Sequence, residues 1–191
     1  MTEGKIGLFG AHQRWNAAVA AQVPKLLSSR APFDRISQED IFRGLAQVQW
    51  PGRFQQVDER FVLDGAHNPA SALALVETWR ERFPRETATI IIGAMRDKDV
   101  AAVCATLASI AHKFIPVAVG NPRSCTTAEL SAILRQQAPT VTCEEAVNLN
   151  AALLRVQREP SRVLICGSLF LVGEALSALG LAADPHELSS Q

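Results

Sequence analysis

The stretch Val62–Ser71, VLDGAHNPAS, puts a carboxylate (Asp64), an imidazole (His67) and a carboxamide (Asn68) within five residues. Apolar residues of strand type run directly into it, and an apolar pattern of helical type follows. Asn68 suits a helix N-cap and Pro69 the first helical position, so these two have a purely structural explanation. Asp64 and His67 need another. A carboxylate there either forms the turn or accepts from sugar hydroxyls or a substrate ammonium. His67 is either a polar loop residue or a group that donates to an anion and moves a proton near neutral pH.

Other stretches carry comparable chemistry. In HQRWN, His12 and Asn16 are four residues apart and share one helix face, and the Asn carboxamide has the acceptor and donors to read an adenine edge. A polar surface face accounts for the same spacing, and Trp15 reads as core or interface. Arg53 follows a Pro-Gly break in WPGRF, where a guanidinium on a loop suits bidentate contact with phosphate or simply faces solvent. In MRDKD, Asp97 or Asp99 caps the next helix, and Lys98 faces an anion or water. Thr126 and Glu129 have capping-box spacing. Gly167 and Ser168 close the last strand-like run; Ser168 is either only a helix N-cap or a cap whose hydroxyl also meets a ligand in the crevice.

The elements that must position these groups are legible from periodicity. An Ala-rich helix is expected over about residues 12–23, with Pro24 ending or kinking it, preceded by a strand-like KIGLF. Residues 28–35 read as loop, and Ser37 with Asp40 starts a second short helix. WPGR, residues 50–53, breaks the pattern and marks a domain boundary. Beyond it, FQQV and RFVLD form an antiparallel hairpin, and strand-like runs then alternate with helical ones: ATIIIGAM with DVAAVCATLASIA, KFIPVAV with TAELSAILRQQ, TVTC with EEAVNLNAALLRVQ, RVLICG with LFLVGEALSAL. Such alternation predicts an α/β fold: a Rossmann-like wound, mostly parallel sheet with one antiparallel edge strand, covered by helices on both faces. Ligands of open α/β sheets bind beyond the carboxyl ends of the strands, where DGAHNP lies. The polar tail DPHELSSQ is expected to fray.

Bulk composition excludes several classes. Lys plus Arg and Asp plus Glu are 19 each, so no global field draws in nucleic acid or an anionic membrane. No apolar run approaches the roughly 18–20 residues of a membrane span, and the N-terminus lacks a signal-peptide core. Cys104, Cys125, Cys143 and Cys166 form no CxxC pair; Cys143 and Cys166 read as core filler, and a reducing, cytoplasmic setting is expected.

Taken in order, GAHQRWNAA, WPGRF, VLDGAHNP, GAMRDKD, NPRS and GSLFLVGE resemble the folylpolyglutamate synthase and dihydrofolate synthase family, relatives of the Mur ligases of cell-wall synthesis. The resemblance spans residues 7 to about 180. It implies a two-domain ligase whose N-terminal domain carries a P-loop and magnesium ligands; no GxxxxGK[ST] occurs in this sequence. Residues 1–50 then correspond to the end of the ATPase domain plus linker, 51–183 to the glutamate-ligase domain, and 184–191 to a polar tail. The implied cofactors are ATP and Mg2+, and the implied substrates are L-glutamate and a pteroate or folate. By similarity, Asn16 would contact adenine, Arg53 the phosphates, Asp64 the ribose hydroxyls, His67 the nucleotide and incoming glutamate, and Ser168 the glutamate. Without the P-loop the chain alone is expected to be inactive. Rival readings are a Mur-type ligase with another acceptor and a non-catalytic nucleotide-binding or interaction module. A Rossmann oxidoreductase is disfavoured because no GxGxxG follows a strand.

Overall fold

The computed structural model describes residues 5–181, so the polar tail at 184–191 lies outside the described residues. Two helices come first, α1 (Ala11–Leu26) and α2 (Gln38–Gln47), joined through a 3-10 turn at Phe33–Arg35. The expected capping box starts α2: the Ser37 hydroxyl accepts from the Asp40 N–H at 3.1 Å, and Asp40 accepts from the Ser37 N–H at 3.0 Å. Pro24 lies inside α1, which ends two residues beyond it. KIGLF forms no strand; a strand needs a neighbour to complete its ladder, and here the Gly7 N–H instead meets the Leu45 carbonyl at the end of α2.

The sheet begins at β1 (Gln55–Gln56), which pairs antiparallel with β2 (Phe61–Leu63). Then follow α3 (Pro69–Arg82), β3 (Ala88–Ile92), α4 (Val100–Leu107), β4 (Ala111–Pro116), α5 (Thr127–Gln137), β5 (Thr142–Cys143), α6 (Leu149–Val156), β6 (Arg162–Cys166) and α7 (Leu169–Ala178). The strand order is β1-β2-β6-β3-β4-β5, parallel at every pair except β1–β2. The expected fold class holds.

Period-two alternation sorts the strand residues onto two apolar layers. Val62, Ile90, Ile92, Phe114 and Leu164 face one core, where Leu75, Val76 and Trp79 of α3, Val103 and Leu107 of α4, and Leu130 and Leu134 of α5 pack. Phe61, Leu63, Ile91, Ile115, Val163 and Ile165 face the other, covered by Ala152, Leu153 and Val156 of α6 and Leu171, Val172 and Ala175 of α7. Cys166 is fully buried, as expected of core filler, whereas Cys143 is only half-buried at the sheet edge.

Two local departures have simple causes. Residues 144–148, read as helical, are not: the Glu144 N–H continues the ladder to the Phe114 carbonyl, and Asn148 caps α6 by accepting from the Ala151 N–H at 2.9 Å. The helix expected beyond Val100 stops at Leu107 and tightens into a 3-10 turn over Ala108–Ile110. Trp15 is 78% exposed, so the core reading fails; with Val19, Val23 and Leu26 it forms an exposed apolar stripe on α1. Among the described residues no helix is long and apolar enough to cross a membrane.

One close approach shapes the carboxyl end of the sheet. Gly167, at φ +99, sits where a Cβ would lie 2.6 Å from the Gly93 carbonyl oxygen, so the chain after β6 passes directly against the end of β3. The Gly167 N–H then donates to the Ala66 carbonyl at 2.9 Å, tying this crossing to the loop after β2.

Candidate functional site

The sequence places Asp64 one residue past β2, and the parallel ladder with β6 continues through it: the Asp64 N–H donates to the Ile165 carbonyl at 3.0 Å. The next four residues turn toward α3. Asn68 caps that helix, accepting from the Ser71 N–H at 2.9 Å, while the Ser71 hydroxyl accepts from the N–H groups of both His67 and Asn68 at 3.1 Å. Pro69 occupies the first helical turn, as expected.

The turn lines a cavity of about 300 Å³ between α1, the 52–54 loop and the start of α3. Asn16, Arg53, Asp64 and His67 all line it, together with His12 and Gln13. Four of the five residues singled out in the sequence therefore meet. Ser168 does not line this cavity: it is buried, and its hydroxyl accepts from the Phe170 N–H at 3.1 Å as the α7 cap.

Each side chain has a defined state. The Nδ1 of His67 is 2.8 Å from the Gly65 carbonyl oxygen, which can only accept; Nδ1 therefore carries the proton and Nε2 is the free nitrogen. Asn16 donates through Nδ2 to the Gln13 Oε1 at 2.9 Å, so its own oxygen and second N–H remain for a ligand. Gln13 is 7% exposed and was not singled out in the sequence. Its i, i+3 spacing to Asn16 on an Ala-rich helix is the signal that identifies it. Arg53 forms no ion pair among the described residues.

Asp64 differs from the expectation of an open acceptor. Its Oδ2 accepts from the Phe54 N–H at 2.7 Å and its Oδ1 from the Ala66 N–H at 2.8 Å. Burial pushes its carboxyl above the ordinary range, against the pull of these two N–H groups and of the charges on Arg53 and His12.

On the next loops, Asp99 caps α4 by accepting from the Ala102 N–H at 3.0 Å, while Lys98 pairs with Asp97 at 3.4 Å. Glu129 completes the Thr126 capping box and receives Arg96 through two bonds of 3.1 and 2.9 Å. Arg96, then the Thr126 N–H and hydroxyl, hold the Glu129 carboxyl down to about 2, from an ordinary 4.5. A folded pKa below the unfolded one stabilises the fold above the unfolded value, and that stabilisation is lost as pH falls through the folded value. Asp64 has the reverse sign: its contribution is present below the ordinary 3.8 and lost as pH rises through its raised folded value. Glu129→Gln is accordingly expected to flatten the loss of stability between pH 4.5 and 2, read as the urea midpoint against pH. An unchanged slope would show that the Arg96–Glu129 pair does not couple to folding.

Among the described residues no group of three or more His, Cys, Asp or Glu is placed to hold a metal ion.

A wound, mostly parallel sheet with an antiparallel edge and a polar cavity at its carboxyl end makes this an α/β domain, and residues 52–169 match the model of the family described as Mur ligase, glutamate ligase domain. The chain belongs to that family. It is 34% identical over 176 residues to a probable bifunctional folylpolyglutamate synthase/dihydropteroate synthase of Halobacterium salinarum, covering 90% of this chain and 20% of the relative. Among solved structures it is similar to the Mycobacterium tuberculosis folylpolyglutamate synthase complexed with ADP and AMPPCP: TM-score 0.76, 26% identity, 94% of this chain and 42% of that one. It is also similar to the Yersinia pestis bifunctional folylpolyglutamate synthase/dihydrofolate synthase complexed with AMPPNP and Mn ion: TM-score 0.77, 27% identity, 95% and 42%. The chain thus spans about a fifth to two fifths of the length of these relatives.

Proposed function

We propose that this chain forms the C-terminal wall of an ATP-dependent ligase that joins L-glutamate to dihydropteroate or a folate through an acyl phosphate. The observation that carries the reading is the convergence of Arg53, His67 and Asn16 on one cavity at the carboxyl end of a Mur ligase-family sheet. The nucleotide-bound relatives support a nucleotide as the occupant. Residues 1–50 serve as the end of the ATPase domain and linker, and residues 51–183 as the glutamate-ligase domain. ATP and Mg2+ are the cofactors, and the P-loop and the cation ligands belong to the partner domain.

In this reading the acceptor carboxylate attacks the γ-phosphorus of ATP, the bond to the bridging oxygen breaks, and ADP leaves. The glutamate amine then attacks the acyl carbon, the tetrahedral intermediate collapses, and inorganic phosphate departs with the carboxylate oxygen. No protein nucleophile is required; the protein neutralises charge and orients. Arg53 supplies a cation where negative charge shifts between phosphates. His67, with Nε2 free, accepts a hydrogen bond or proton from the incoming amine. Asn16 offers its carboxamide to the base edge, with Gln13 holding its orientation.

The test is a ligase assay on the complete protein with dihydropteroate or tetrahydrofolate, L-glutamate, ATP and Mg2+. Amide product and ADP in equal amounts are expected. Residues 1–191 alone should give no product and no rise in Tm with ATP. Failure of the complete protein to form amide from either acceptor would overturn the reading.

A further inference from the structure

Arg53 stands between two residues with left-handed backbone, Gly52 at φ 71 and Phe54 at φ 43. A bulky residue such as Phe54 keeps that conformation only where its surroundings impose it. Its ring is buried against Trp79 and Phe83, with centroids 6.4 and 6.2 Å away, which fixes the loop on the α3 side. On the other side the loop rests on the first turn of α7. The buried Val172 fills the space above Gly52, where an added Cβ would lie 2.8 Å from its Cγ1. Leu169, one turn earlier on the same helix face, fills the space above Gly65. A Cβ added to Gly65 would overlap Leu169 Cδ2, and would lie 3.0 Å from Leu169 Cγ and 3.3 Å from Arg53 Nη1. A leucine and the guanidinium therefore share the bare face of one glycine. The Gly65 N–H donates to the Gly52 carbonyl at 2.8 Å, so the two glycines sit on α7 as one unit.

We infer that Leu169 is a positioning residue: with Val172 beneath the loop, its side chain sets where the Arg53 guanidinium lies over the turn after β2. Arg53 has no ion-pair partner among the described residues, so packing is what directs it. Leu169 does not itself line the cavity that holds Arg53 and His67, so its effect on a ligand there passes through Arg53. The contact stands on the seating of two glycines against α7; the chemistry it serves rests on the ligase reading.

The test is a double-mutant cycle in the complete ligase. Leu169 is 48% exposed, so Leu169→Ala leaves the core intact. It is expected to lower kcat about tenfold, the scale of a small misplacement of a reacting group, with the KM values for ATP and glutamate changed less than about threefold. In an Arg53→Ala background the same substitution should cost less than about twofold, because no guanidinium is left to place. An equal loss in both backgrounds would mean that Leu169 acts without Arg53 and overturns the inference. Gly65→Ala gives a second route: its methyl displaces Leu169 and presses on Arg53, and kcat should fall about tenfold or more. Adding Leu169→Ala should recover most of that rate, because the new methyl then stands where Leu169 Cδ2 stood. A double variant no faster than Gly65→Ala overturns the inference as well. One readout needs no catalysis. In residues 1–191 the 15N relaxation of Arg53 Nε should report a guanidinium more mobile on the ps–ns timescale in Leu169→Ala than in the unaltered chain, and unchanged relaxation overturns the contact. If the complete protein makes no amide, the ligase reading falls and the relaxation result still decides whether Leu169 places Arg53.

Discussion

Arg53→Ala is expected to lower the turnover of the complete ligase by about 10²–10³-fold, the cost of removing one preorganised charge from a phosphoryl or acyl transition state. Arg53 is half-buried, lines the cavity and has no ion-pair partner among the described residues, so its charge is available to a ligand. Removing it leaves no buried partner stranded, and the fold should survive. Arg53→Lys keeps the charge and loses the planar fork, so it should recover only part of the rate. Phosphate release under saturating ATP measures both. A kcat for Arg53→Ala equal to that of the unaltered enzyme would remove this residue from the chemistry.

Trp79→Ala is expected to destabilise residues 1–191 by about 3–5 kcal/mol, the range for deleting a buried aromatic side chain. Trp79 is fully buried on α3, its indole N–H donates to the Glu86 carbonyl at 2.8 Å, and its ring meets Phe83 edge-on at 4.9 Å. Truncation opens a cavity and leaves that carbonyl without its donor. Against a typical total of about 5–15 kcal/mol the loss is large. Urea denaturation followed by tryptophan-independent circular dichroism measures it. A loss below about 1 kcal/mol would mean that the Phe54–Trp79–Phe83 cluster repacks, and the seat of Phe54 would then not depend on it.

Local signals in the sequence carried most of the architecture. Strand runs such as ATIII and RVLIC are apolar throughout because both faces are covered, and the caps at Ser37, Asn68, Asp99 and Thr126 are each satisfied within three residues. The cavity was legible because Arg53, Asp64 and His67 each sit in a loop at an element boundary, and Asn16 shares one face of α1 with His12. What escaped depends on partners distant in sequence. KIGLF has strand composition, but among the described residues no strand lies beside it. Trp15 has the composition of a core residue and no core to enter. The engagement of both Asp64 oxygens involves Phe54, ten residues earlier and across an antiparallel edge, and no local spacing announces it. Ser168 reads as a crevice hydroxyl from its place after β6, yet its cap bond and burial keep it out of the cavity.

The crossing of Gly167 over Gly93 carries a consequence for how such a protein diverges. Where two main chains touch without a side chain between them, mutation has no lever: the floor beneath the DGAHNP turn is rigid masonry, common to whatever molecule rests above it. Novelty in the choice of guest has to come from the margin, where Phe9 and His12 line the cavity with exposed side chains that are free to be exchanged.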